Sequence, residues 1–207
     1  MLQAGLHNLR QASVRITEVS PRDGLQHESE FVPTLRKISL INALSRTGVT
    51  EIEAGSFVSP AAIPQLADSD EVLRAIDRIP GVTYSALVPN ERGLERARAA
   101  GVDKIAVFTA ASNSFTRHNI KATVQESLVR FRPIVAAAKR DGMAVRAYLS
   151  TVVFCPYEGR IAPTQVRDVM ERLLDLAVDD ISLGETVGKA SPTDIRRLLD
   201  TVLPHVE

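Results

Sequence analysis

Short clusters of charged and hydroxyl side chains recur along the 207-residue chain: Arg22 beside Asp23, Glu53 near Ser56, Arg146, Tyr148 and Ser150 at alternate positions, and Glu185 beside Thr186. A carboxylate next to a guanidinium can bind a divalent cation through oxygen while the planar guanidinium faces the oxygens of a substrate. An adjacent Arg-Asp pair is by itself commonly a surface feature, so its meaning depends on where the chain places it. The histidines, His7, His27, His118 and His205, include no His-x-His pair. A lone cysteine, Cys155, excludes an internal disulfide framework and a cysteine-rich zinc site, and it suits a reducing compartment.

The elements that must position these groups are legible from periodicity. Short β-rich runs alternate with longer runs of helical period, the pattern of repeated strand and helix units around a parallel sheet. Strands are expected at 14–20, 51–56, 84–88, 104–110, 145–151 and 180–186. Leu35, Ile38, Ile41 and Leu44 predict a helix between the first two strands, with Gly48 as its stop. A second helix is expected at 70–78, before the Pro80-Gly81 turn, and a charged one at 90–100, where Glu91, Arg92, Glu95, Arg96 and Arg98 read as a solvated face. Thr123 with Glu126 forms a capping box that opens a long helix carrying Val124, Leu128, Phe131 and Val135 and ending at Gly142. Pro133 should kink or break it. Val166, Val169, Met170, Leu173 and Leu174 mark the buried side of the next helix, and Ser191 with Pro192 reads as N-cap and first turn of the last, which carries Ile195, Leu198, Leu199 and Val202.

On this reading the polar clusters fall at or near the C-terminal ends of strands, where the loops of a parallel barrel converge and reactive groups sit. About six units are expected, whereas a closed eight-unit barrel typically needs roughly 250 residues. An open doubly wound sheet that binds a dinucleotide should show G-x-G-x-x-G after its first strand, but Pro21, Arg22, Asp23 and Gly24 stand there instead. With no low-complexity linker, residues 14–207 read as one domain behind an N-terminal extension, 1–13.

Composition narrows the partners. Lys+Arg and Asp+Glu both total 25, giving a formal net charge of zero, and the signs are interleaved, so there is no electrostatic footprint for nucleic acid or an anionic membrane. No apolar run approaches the ~20 residues that span a bilayer. The extension carries Arg10 but no long apolar stretch or cleavage signal, and a cytoplasmic location is the simplest expectation.

Three segments together, Pro21-Arg22-Asp23-Gly24-Leu25-Gln26, Ile52-Glu53-Ala54-Gly55-Ser56-Phe57-Val58-Ser59-Pro60 and Cys155-Pro156-Tyr157-Glu158-Gly159, closely resemble hydroxymethylglutaryl-CoA lyase. Leu87-Val88-Pro89-Asn90, Ala110-Ala111-Ser112, Phe115-Thr116 and Ser182-Leu183-Gly184-Glu185-Thr186 extend the resemblance from about Val14 to the chain end. Pro21 and Leu25 favour this branch over the related synthases, which carry Leu-Arg-Asp-Gly-Glu-Gln.

The resemblance implies a (β/α)8 TIM-barrel-type fold, truncated after about six βα units. It also implies retro-Claisen cleavage of hydroxymethylglutaryl-CoA, an acyl-CoA thioester, to acetyl-CoA and acetoacetate, assisted by a magnesium or manganese ion. By motif match, Asp23 ligates the metal, Arg22 stabilises the developing oxyanion or enolate, and Glu53 organises Arg22 and the proton network. Glu185 joins the catalytic set in place of the family's usual Asp, and its extra methylene moves the carboxylate by about an ångström. Gln26, Ser56, Asn119 and Tyr148, with Arg22, fall at substrate-binding positions. The family's His-x-His and Asn ligands and its glycine-rich loop with a catalytic Cys have no counterpart in these 207 residues. Three readings follow for function: the named lyase, a lyase or aldolase for a related branched hydroxyacyl-CoA, and an inactive fragment. The assembly expected is a homo-oligomer or a complex with a complementary C-terminal fragment. Cys155 is expected to be structural, His27 an ordinary loop residue, and His118 a neighbour of the substrate approach. Arg146 and Tyr148 are expected to point into the barrel, as a structural network or as substrate contacts.

Overall fold

Strands buried on both faces set the frame. β2 (Glu51–Ser56) is buried at every position, and β4 (Lys104–Ala110) at all but Phe108. With β1 (Thr17–Glu18), β3 (Thr83–Leu87), β5 (Ala144–Ser150) and β8 (Asp180–Gly184) they form a six-stranded parallel sheet of order β1-β2-β3-β4-β5-β8. β6 (Phe154–Cys155) and β7 (Gly159–Arg160) make a separate antiparallel hairpin. The computed structural model describes residues 14–206; the expected extension, with His7 and Arg10, and Glu207 lie outside them.

Helices α1 (Thr34–Leu44), α2 (Ser69–Ala75), α3 (Glu91–Ala99), α4 (Asn113–Ile120), α5 (Val124–Arg140), α6 (Pro163–Leu174) and α7 (Pro192–Val202) follow the strands. The core lies between helices and sheet: Val145, Ala147 and Leu149 of β5 are 0% exposed, as are Val135 and Ala138 of α5 and Val166 and Leu173 of α6. The alternate residues of β5 line the other face. There Arg146 reaches Thr17 of β1 at 2.9 Å. In a flat sheet those strands would be nearly 20 Å apart, so the contact shows that the sheet curls into a barrel wall.

Several expected boundaries move, each for a physical reason. The first strand, expected over 14–20, shrinks to two residues because the Val19 carbonyl accepts the amides of Arg22 and Asp23, at 3.1 and 2.7 Å, and winds Ser20–Gly24 into a wide helical turn. Leu35 is 78% exposed whereas Ile41 is fully buried. Steps of three residues fall about 60° short of a full turn each time, so Leu35 and Leu44 end on opposite sides of α1. That helix stops at Leu44, and Gly48 (φ +93°) serves the turn beyond it. α2 spans Ser69–Ala75 and not 70–78, since Ile76 is already extended. β3 begins and ends one residue earlier than expected, as does β5, and β8 closes at Gly184 instead of 186.

Pro133 does not break α5. The carbonyl that its ring leaves without an intrahelical donor belongs to Val129, which is 60% exposed, so water can satisfy it. Both expected caps form: Thr123 and Glu126 close a capping box on α5, and Ser191 with Asp194 does so on α7.

Candidate active site

The turn after β1 delivers Arg22 into the barrel. Pro21 at the start of that turn gives up an amide it does not need there, and burial of Pro21 and Arg22 anchors the turn. From β2, whose every side chain is enclosed, Glu53 is 0% exposed and its Oε1 accepts from Arg22 Nε. Its Oε2 accepts from the Tyr148 hydroxyl of β5 at 2.5 Å. Arg22 also donates through Nη1 to Asp23 Oδ1 at 2.6 Å, and its guanidinium lies 5.4 Å from the centre of the Tyr148 ring. Burial disfavours the charged Arg22, but Glu53 and Asp23 more than offset that and raise its pKa. Burial, then the charge of Glu53 and the hydrogen bond to it, push the Tyr148 phenol well above its ordinary value, so it stays protonated and donates. Among the described residues no hydrogen bond engages Nη2 of Arg22, whose side chain is 11% exposed.

A second polar layer lies one residue pair lower in the barrel. Arg146 donates to Asp180 Oδ1 at 2.5 Å and pairs with Glu51 Oε1 at 3.0 Å, while Lys104 Nζ reaches Asp180 Oδ2 at 2.6 Å and Glu51 Oε2 at 3.1 Å. Glu51, Lys104 and Asp180 each open a strand. The layer therefore sits toward the strands' N-terminal ends, the stability side of such a barrel. Of the two uses expected for Arg146 and Tyr148, Arg146 falls in a structural network and Tyr148 in a contact with Glu53.

The remaining candidates do not join the Arg22-Glu53-Tyr148 group through any hydrogen bond among the described residues. Ser56, 1% exposed, turns its Oγ to the Val58 amide, and its own amide donates to Ser69 Oγ at 3.0 Å. Gly55 permits that contact, because a Cβ there would lie 2.9 Å from Ser69 Oγ. Among the described residues Gln26 Oε1 and Glu185 Oε1 are buried acceptors without partners, and the other Glu185 oxygen accepts from the Gly188 amide at 2.5 Å. Asn119 is exposed on α4. Among the described residues His27 hydrogen-bonds the Asp23 carbonyl, at 2.8 Å.

Cys155 is structural: 3% exposed, its thiol donates to Ser112 Oγ at 3.0 Å and accepts from the Tyr157 amide. This holds the β6-β7 hairpin on α4, where Tyr157 stacks on His118 with ring centres 4.1 Å apart and Glu158 accepts from the Ser114 amide at 2.7 Å. Sequence reasoning missed this latch and α4 itself, although Ser112 three residues before Phe115 is an N-cap signal.

A divalent cation fits these residues poorly. No three His, Cys, Asp or Glu side chains gather to hold a metal among the described residues. Asp23 offers one half-exposed carboxylate with an oxygen already given to Arg22, which is little of the shell a magnesium ion needs.

A curled parallel sheet with helices outside it, and a buried guanidinium-carboxylate pair above a charged lower layer, defines a TIM-barrel-type α/β protein with the candidate site on the side of the strands' C-terminal ends. The chain belongs to the HMGL-like family, whose pattern matches residues 13–207. It is 48% identical over 193 residues to the mitochondrial hydroxymethylglutaryl-CoA lyase of Bos taurus, covering 93% of this chain and 59% of that one. Among solved structures, the HMG-CoA lyase of Brucella melitensis superposes with a TM-score of 0.91 at 51% identity, over 92% of this chain and 68% of that one. The HMG-CoA lyase of Acinetobacter baumannii, in complex with coenzyme A and 3-methylmalate, does so with a TM-score of 0.89 at 38% identity, over 94% and 63%. The chain thus spans about three fifths of the curated lyases it resembles.

Proposed function

We propose that residues 14–207 form the greater part of a hydroxymethylglutaryl-CoA lyase catalytic domain, a carbon-carbon lyase acting on an acyl-CoA thioester. The observation that carries the reading is the placement of Arg22: locked by buried Glu53, with its Nη2 engaged by no hydrogen bond among the described residues. The coenzyme A complex of a relative supports the thioester.

In the proposed reaction a base removes the tertiary hydroxyl proton. The bond between the hydroxyl-bearing carbon and the thioester α-carbon breaks, the former becoming the ketone of acetoacetate. The electron pair passes to the thioester as an enolate, which takes up a proton to give acetyl-CoA. Arg22 would donate Nη2–H to the oxygen on which charge develops, a preorganised stabilisation that costs no reorganisation at the moment of reaction. Glu53 would hold that guanidinium, and Tyr148 would hold Glu53 and wall the substrate. Gln26, Ser56 and Asn119 would line the substrate path, and the free Glu185 oxygen would accept in the proton network. Asp23 would contribute one oxygen to a magnesium or manganese ion, and since the remaining donors are not among the described residues, no step is routed through the metal.

The compartment is proposed as cytoplasmic on the lone buried cysteine; curated relatives carry both cytoplasmic and mitochondrial names. No helix among the described residues is long and apolar enough to cross a membrane. The reading is tested by substituting residues 14–206 for the matching segment of the Brucella enzyme and offering the chimera a panel of branched hydroxyacyl-CoA thioesters. Hydroxymethylglutaryl-CoA is expected to give the highest kcat/KM; a higher value on another thioester would replace the named substrate.

A further inference from the structure

The loop that carries Arg22 and Asp23 and the loop that follows Glu53 and Ser56 are fastened together by a largely buried ion pair that the proposed reaction does not use. Lys37, in the first turns of α1, is 3% exposed. Its Nζ donates to the Gln65 carbonyl at 2.5 Å and to Asp68 Oδ1 at 2.6 Å, and the Phe31 ring covers it at 4.1 Å. The other Asp68 oxygen accepts from Thr34 Oγ1, the first residue of α1, at 2.8 Å. Gln65 in turn donates to the Glu28 carbonyl at 3.0 Å. One residue past Asp68, Ser69 Oγ accepts the Ser56 amide at the end of β2. A chain of contacts therefore runs from the Arg22 loop through Glu28, Phe31 and Thr34, across Lys37 and Asp68, to the end of the strand that bears Glu53.

Burying a cation and an anion is a poor way to gain stability, since an apolar pair of the same volume is often as stable or more so. Such a pair does fix direction and spacing, because both partners are costly to leave unpaired. Its location is also telling: it joins two strand-to-helix loops on the face where the candidate site lies, whereas the Glu51-Lys104-Asp180 layer lies toward the opposite end. Two hydrogen bonds and the Phe31 ring surround the Lys37 ammonium among the described residues, and its 3% exposure leaves a ligand little access to it.

We infer that Lys37 and Asp68 are positioning residues that set the separation of the first two loops and so hold Arg22 against Glu53. The inference rests on the assignment of Arg22 as the working group of the site, and its test reads geometry without turnover, so its failure is distinct from failure of the lyase reading. The Nε proton of Arg22 exists as a protected signal only while bound to Glu53. In the full chain, Lys37→Met should speed solvent exchange of that proton at least tenfold while the amides of β4 and β5 keep their protection, and Lys37→Arg should restore slow exchange. Thr34→Val, which removes only the bond to Asp68 Oδ2, should speed it severalfold and serves where Lys37→Met does not fold. Unchanged Nε exchange in whichever variant folds would overturn the inference. So would equal loss of protection throughout β4 and β5, which would make the pair a general stabiliser.

Discussion

Glu53 is a carboxylate with no exposed surface and two donors, Arg22 Nε and the Tyr148 hydroxyl. A buried charge is tolerated only when its partners are in place, so the two bonds should differ in weight. Glu53→Gln removes the charge that balances buried Arg22 and is expected to destabilise the fold by about 3 kcal/mol. Tyr148→Phe deletes one donor and leaves Oε2 unsatisfied, at about 1–2 kcal/mol. Denaturant midpoints of the two variants test this, and an inverted order would mean that the phenol, and not the guanidinium, anchors Glu53. The contact itself was only partly legible. The motif resemblance pairs Glu53 with Arg22, but 95 residues separate Glu53 from Tyr148 and no local pattern connects them. Only the curl of the sheet brings β5 within reach of β2.

Among the elements, β2 and β4 match their expected bounds residue for residue; β4 shows the apolar run of a strand buried on both faces, Ile105 to Phe108 behind Lys104, whereas β2 alternates Glu51 and Glu53 with Ile52 and Ala54. α4 escaped because Asn113–Ile120 carries few apolar residues in helical period and is held by its Ser112 cap and the hairpin latch. Two-residue strands such as β6 and β7 lack the length to signal at all. The lower charged layer was visible as residue types but not as a layer, because Glu51, Lys104 and Asp180 come from strands far apart in sequence.

That layer makes a pH prediction. Burial alone would raise the Asp180 pKa, but hydrogen bonds from Arg146 and Lys104 hold it below its ordinary value. A carboxylate depressed in the folded state contributes fully above its unfolded pKa of about 3.9, and the contribution is lost as pH falls through the folded value. Asp180 is about a third exposed, so Asp180→Asn should cost only about 1–2 kcal/mol at pH 7. The gap between wild type and variant in urea midpoints should narrow at pH 3; an equal gap at both would show that the side chain contributes by packing alone.

At the scale of the whole molecule, β1 and β8 are the two edges of the described sheet. Exposed apolar side chains, Val14 and Ile16, directly precede β1. Open parallel edges with apolar flanks favour pairing with another chain. The 207-residue polypeptide is therefore expected to self-associate in sedimentation as its concentration rises, and a monodisperse monomer at high concentration would count against unguarded edges. Alone, with magnesium added, it is expected to release no measurable acetoacetate, because one aspartate at the candidate site does not fix the cation. Steady turnover lost in Asp23→Asn would contradict that expectation.

In the proposed lyase reaction the role of the Arg22 guanidinium, held by Glu53, is to stabilise the charge that develops as the carbon-carbon bond breaks. Its most direct test is the kcat for acetoacetate release from hydroxymethylglutaryl-CoA by the chimera that carries residues 14–206, before and after Arg22→Lys. Lysine keeps the charge but loses the planar fork, so kcat should fall by about 100-fold or more while KM stays within a few-fold. A chimera that folds and binds coenzyme A but releases no acetoacetate, or an Arg22→Lys variant with kcat within threefold of its parent, would rule that role out.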